Sequence, residues 1–141
     1  MFKTIEGNSG ARMYIKCRQI VVGSGEGEAL VTTQMINFLT MIDLKSGVIK
    51  DEKHELRGRS IANKMLIFPN AIGSSVGAYS VYALKMNRVA PKAMMCNKAD
   101  ITTASGCAIA NIPLADQSNV DIFTIKSGVK VKLGENLLQV F

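Results

Sequence analysis

Apolar and polar residues follow two different periods along this chain, and each change of period marks an element. From Ala11 to Val22, the run Met13-Tyr14-Ile15-Lys16-Cys17-Arg18-Gln19-Ile20-Val21-Val22 alternates apolar and basic residues in its first half, which predicts a strand with one wet face. Gly23-Ser24-Gly25-Glu26-Gly27 interrupts it, and Glu28-Ala29-Leu30-Val31-Thr32-Thr33 reads as another strand. The glycines are therefore read as a strand-to-strand loop, because a dinucleotide fingerprint needs a helix after the loop and a different glycine spacing. The apolar segment 36–43 leads into a turn and a short strand at Val48-Ile49.

Lys64-Met65-Leu66-Ile67-Phe68 is short, apolar and closed by Pro69, as in a buried strand whose ladder must stop. Tyr79, Val81, Tyr82, Leu84 and Met86 then recur as in an amphipathic helix, with Lys85 and Arg88 near its end. Ala90-Pro91 stops that helix, and Ala93-Met94-Met95-Cys96 reads as the next buried strand. Residues 100–111 suit a second helix whose small side chains permit close packing. Residues 120–125, 129–133 and 137–140 read as short strands joined by turns. Strands, then strand-helix-strand-helix, then strands predict an α/β chain: a mixed sheet or barrel with helices packed on it.

With 141 residues and no internal repeat, the chain is expected to form one domain over 1–141, with a loose polar end over 1–10. No apolar run approaches a membrane span and the first residues lack the apolar core of a signal peptide, so a cytoplasmic protein is expected. Seventeen Lys and Arg against eleven Asp and Glu give +6, spread along the chain, which favours an anionic small-molecule partner. Without Trp, a basic helix or zinc-finger spacing, nucleic acid is not the expected partner. Cys17, Cys96 and Cys107 form no C-x-x-C pair and read as free thiols, and with His54 as the single histidine no metal site is assigned.

The chemistry-bearing stretch is Gly73-Ser74-Ser75, where the central strand passes into the helix. A helix start offers unpaired N–H groups and the positive end of the macrodipole, so an anion, or a serine asked to carry one, would be stabilised there. The plainer reading is a capping serine between turn-forming glycines.

The ordered blocks Gly27-Glu28-Ala29-Leu30-Val31, Gly47-Val48-Ile49, His54-Glu55-Leu56-Arg57-Gly58, Pro69-Asn70-Ala71-Ile72-Gly73-Ser74-Ser75, Ala90-Pro91-Lys92-Ala93 and Ile112-Pro113-Leu114 resemble the small subunit of aconitase X enzymes. The resemblance implies a swivelling β/β/α domain like the mobile last domain of aconitase. It also implies a two-subunit hydro-lyase, inactive as this chain alone, whose large subunit carries a [4Fe-4S] cluster. Water would leave (R)-5-phosphomevalonate to give trans-anhydromevalonate 5-phosphate in an archaeal mevalonate route, or alternatively leave cis-3-hydroxy-L-proline. By the same resemblance Ser74 corresponds to the serine base of the superfamily, with Ser75 and the backbone at Gly73 binding substrate oxygens. Aconitase follows its serine pair with an arginine; Val76 and Gly77 stand here, so carboxylate and phosphate must be held elsewhere, with Lys64 and Arg57 as unassigned possibilities. Relatives tend to carry glycines between Phe38 and Asp43, where this chain has Leu39-Thr40-Met41. Two other classes remain: a non-catalytic binding module, and a phosphohistidine carrier faintly echoed by residues 102–110, which has no histidine where that chemistry needs one.

Overall fold

The structure is a computed structural model that describes residues 10–141; the loose end expected over 1–10 lies, Gly10 apart, outside the described residues. Eight strands join in one mixed sheet: β1 (Met13–Lys16), β2 (Arg18–Val21), β3 (Gly25–Val31), β4 (Met65–Ile67), β5 (Ala93–Met95), β6 (Leu114–Asp116), β7 (Lys130–Gly134) and β8 (Leu137–Val140). Two helices, α1 (Gly77–Met86) and α2 (Ile101–Ala110), make the β4-α1-β5 and β5-α2-β6 crossovers. Strands β3 to β6 run parallel, and the remaining pairings are antiparallel.

The single strand expected over 11–22 proves to be two. Residues 13–16 pair with β8 at one edge of the sheet, and residues 18–21 pair with β6 at the other, so one run of chain bends at Cys17 and draws both edges together. The sheet is thereby nearly closed into a barrel, which leaves few open edges. The seam is pinned by Arg18, whose Nε and second guanidinium nitrogen donate to the two carboxylate oxygens of Asp116 at 2.9 Å each. The Ala99 N–H donates to the same buried carboxylate at 2.8 Å.

Strand alternation sorts apolar side chains between two cores. Ile15, Ala29, Met65, Ile67, Met95 and Leu138 are among those filling the barrel interior. Leu30, Leu66, Phe68, Met94 and Leu114 point the other way, onto Val81, Leu84, Cys107 and Ala110 of the helices. Lys130 and Lys132 flank inward Val131 and Leu133 in β7, as alternation predicted.

Three further expectations need correcting. Strand β3 begins inside the glycine break, because Gly25 and Gly27 lie where a Cβ would sit 2.4 Å from the Lys92 carbonyl oxygen and 2.7 Å from that of Asn63. Residues 122–124 form a 3-10 turn instead of a strand, since the Asp121 carboxylate accepts the Phe123 N–H and stabilises a local turn. In α1 the buried face is Ser80, Val81 and Leu84, while Tyr79, Tyr82 and Met86 face outward. Residues 33–64 form turns closed by isolated bridges, with Ile36, Phe38, Ile42, Ile49, Leu56 and Ile61 anchoring them in the helix-side core.

Candidate active site

After β4, Phe68 and Pro69 end the ladder, and the chain from 70 to 72 is held against the long loop: Ile36 N–H donates to Asn70 O at 3.2 Å and Ile72 N–H to Ile36 O at 2.9 Å. Gly73 then turns at φ +113°, a region that L side chains rarely adopt. A Cβ there would meet Nδ2 of Asn37 at 2.7 Å. Asn37 is itself fixed, its Oδ1 accepting from Leu39 N–H at 3.0 Å and Thr40 N–H at 3.1 Å. The glycine thus sets the direction in which the serines leave.

Ser74 and Ser75 are exposed and stand in a turn one step before α1. The helix begins at Gly77 with Val76 at its cap and no side-chain cap on that residue, so neither serine is the N-cap residue. Ser74 nevertheless ties the turn to the helix start, since its Oγ accepts the Val76 N–H at 3.3 Å and its carbonyl accepts the Gly77 N–H at 3.0 Å. Ser75 O accepts from Ala78 N–H at 3.2 Å. No acidic side chain occupies the first turn of α1, so no residue of that turn offsets the positive end of its dipole beside Ser74.

A second helix start meets the first. Because both crossovers join parallel strands, α1 and α2 run side by side in the same direction, and Gly106 lets them approach, its missing Cβ lying 3.1 Å from Ala78 Cα. Asp100 caps α2, its Oδ1 accepting the Thr103 N–H at 3.2 Å. Between the two helix starts lies a hollow of about 10 Å³, the size of one water, lined by Gly73, Ser74, Gly77, Asp100, Thr102 and Thr103 among others. The Thr103 hydroxyl is buried there with no hydrogen-bond partner among the described residues.

Asp100, Thr103 and Asn37 were not singled out from the sequence. Asp100 before Ile101-Thr102-Thr103 carries the usual N-cap signal, which reports a helix start and not its neighbour in space. Nothing local to Asn37 announces its contact with Gly73. Lys64 and Arg57 do not line the hollow. Lys64 lies before β4, at the opposite end of that strand, 3.9 Å from the Glu28 carboxylate. Exposed apolar residues surround the serine turn along the chain and at both helix starts: Leu39, Ile72, Val76, Tyr79 (74% exposed) and Ile101 (85% exposed).

His54 is buried with both ring nitrogens engaged: Nδ1 accepts the Leu56 N–H at 3.1 Å, leaving Nε2 to donate to Met35 O at 3.2 Å. Such a ring holds two loops together and offers no free nitrogen to a phosphoryl group. The three thiols are free. Burial, with a further push from Asp116, raises Cys17 to about 11 and Cys96 to about 12; burial likewise raises Cys107 to about 12. At neutral pH they are protonated thiols. Among the described residues no group of three His, Cys, Asp or Glu side chains could hold a metal ion. The residues present do not fit an iron-sulfur cluster. No helix of the described residues is long and apolar enough to cross a membrane.

Comparison with known proteins agrees with this architecture. The family model "Aconitase X swivel domain" matches residues 14–140. Phosphomevalonate dehydratase small subunits from Thermococcus kodakarensis (42% identical, covering 86% of this chain and 90% of the relative) and Thermococcus onnurineus (43%, covering 91% and 98%) are similar along nearly their whole length. The same holds for that of Methanothrix thermoacetophila, at 44% identity over 84% of this chain and 87% of the relative. The crystal structure of Thermococcus kodakaraensis aconitase X in its holo-form superposes with a TM-score of 0.87 at 38% identity, covering 92% of this chain and 98% of that one. A nearly closed mixed barrel carrying two parallel crossover helices, matched in sequence over almost its full span, places this chain in the aconitase X swivel-domain family.

Proposed function

We propose that this chain is the small subunit of a hydro-lyase that dehydrates (R)-5-phosphomevalonate to trans-anhydromevalonate 5-phosphate, with Ser74 as the base. The observation that carries the reading is the exposed Ser74 hydroxyl beside the start of α1, whose own first turn holds no acidic residue, in a turn where Gly73 packs closely on Asn37. In the reaction a proton leaves the carbon beside the carboxylate, its C–H electrons form the double bond, and the tertiary C–O bond breaks, the hydroxide taking up one proton, equal to the one removed, to leave as water. Ser74 Oγ takes that proton, and the N–H groups around Ser75 and Gly73 bind substrate oxygens.

Magnitudes decide what else is needed. A helix terminus supplies at most about 2 kcal/mol, or roughly 1.5 pK units. This cannot ionise a hydroxyl that stands in water, and the Asp100 carboxylate on the adjoining hollow works against it. The larger contribution must come from excluding water when a partner closes over the turn, which strengthens each fixed dipole. The exposed apolar residues beside Ser74 suit such a covering partner. That partner is the large subunit, and it carries the iron-sulfur cluster, for which this chain has no ligands among its described residues. Among the described residues no cation lines the hollow, and the phosphate is held by the large subunit as well.

The test is Ser74→Ala in the two-subunit complex. Turnover falls by at least about a thousandfold while the subunits still co-elute, and the purified chain alone shows no dehydration. Retained activity in Ser74→Ala removes the base assignment; turnover of cis-3-hydroxy-L-proline and not of phosphomevalonate removes the substrate.

A further inference from the structure

At the end of the parallel strands opposite Ser74, the Gly23-Ser24-Gly25 turn walls a cavity of about 510 Å³, within the size range of small-molecule sites. Its other walls are the approach to β5 at Lys92, the approach to β4 at Asn63, and the ends of α1 and α2. Lys85, Arg88 and Lys92 all line it, and among the described residues no Asp or Glu does. The ion pairs of the described residues engage Arg18, Lys64 and Lys130 instead. Among the described residues Lys85 Nζ reaches only the Asn111 carbonyl, at 3.5 Å. Glu135 lines an adjoining hollow that shares Gly23 and Ser24.

Compensation of helix ends accounts for part of this. Lys85 and Arg88 stand where a cation complements the terminal carbonyls of α1. Lys92 belongs to no helix, and three like charges around one cavity repel one another unless an anion sits among them. The turn opposite them is built to donate. The Gly23 and Ser24 N–H groups have no acceptor among the described residues. The turn is also held in place: a Cβ on Gly25 would overlap the Lys92 carbonyl oxygen at 2.4 Å, and one on Gly23 would press Pro113 at 3.2 Å. Unused donors, three exposed cations lining one cavity and close backbone packing of the turn together suit an oxyanion.

We propose that this cavity binds a small molecule bearing a diphosphate or comparable doubly anionic group, held by Lys85, Arg88, Lys92 and the Gly23 and Ser24 N–H groups. The proposal is independent of the role of Ser74, which lies at the other end of the strands.

Inorganic pyrophosphate is the probe, titrated into the full chain at low salt by calorimetry and by amide NMR. Saturable binding to one site is expected, with shifts centred on Gly23, Ser24 and Lys92. K85Q/R88Q/K92Q weakens binding by at least about tenfold, whereas K50Q/K53Q/K126Q, which removes the same charge from exposed lysines elsewhere, leaves it unchanged. Circular dichroism checks that both triple variants are folded. Absence of saturable binding, equal weakening in both triples, or shifts confined to residues 73–76 overturns the proposal.

Discussion

Gly73→Ala tests the geometry on which the serine turn depends. At φ +113° an alanine incurs a backbone penalty of about 1–3 kcal/mol. Its Cβ would also lie 2.7 Å from Nδ2, 3.0 Å from Cγ and 3.1 Å from Oδ1 of Asn37, so that side chain must leave. Leaving breaks its bonds to the Leu39 and Thr40 N–H groups, each worth about 0.5–1.5 kcal/mol. The combined loss is about 2–6 kcal/mol, with the lower half expected because an exposed turn can relax. Denaturant unfolding of the full chain measures it, and turnover of the two-subunit complex reports the displaced Ser74. The partner variant Asn37→Gly separates the two causes. In Asn37→Gly/Gly73→Ala the clash is gone and the backbone penalty remains, so the double variant is more stable than the sum of the singles by about 1 kcal/mol or more. A loss below about 1 kcal/mol in Gly73→Ala, or strict additivity in the cycle, refutes the reasoning.

Two further outcomes follow from buried polar groups. Thr103→Val replaces a buried, unpartnered hydroxyl by a methyl of the same shape, so stability rises by about 1 kcal/mol in chemical denaturation; a loss would mean that the hydroxyl has a partner in solution. Asp116 is subject to opposing effects: burial pushes its carboxyl up, but hydrogen bonds from Arg18 and the Ala99 N–H and the charge of Arg18 hold it below its ordinary value. Its folded pKa is lowered, so its contribution is present above the unfolded value of about 4 and is lost as pH falls through the folded value. Asp116→Asn therefore destabilises at neutral pH, by on the order of 1–2 kcal/mol given the half-exposed Arg18. The gap from the parent chain closes below about pH 4; a gap independent of pH would contradict this.

Much of the fold was legible because it is written locally. The apolar run closed by Pro69, the small residues of 101–110 behind Asp100, and the alternation of Val131 and Leu133 with lysines each state a period, and a period states which side of an element is dry. The serine turn before α1 was legible for the same reason, since Gly73-Ser74-Ser75 lies between a strand pattern and a helix pattern. Side-chain periodicity and turn chemistry settled the central strand-helix-strand-helix order, though not the split of 13–21 into two strands or the 3-10 turn at 122–124. They could not say what an element touches. Residues 13–21 pair with β8 on one side and β6 on the other, and Arg18 meets Asp116 across 98 residues, so barrel closure was decided only in three dimensions. The placement of Asn37 against Gly73, the meeting of two helix starts at one hollow, and the gathering of Lys85, Arg88 and Lys92 around the Gly23–Gly25 turn arise in the same way. Local pattern sets the face an element presents, and only the packing of distant segments fixes which groups share a space.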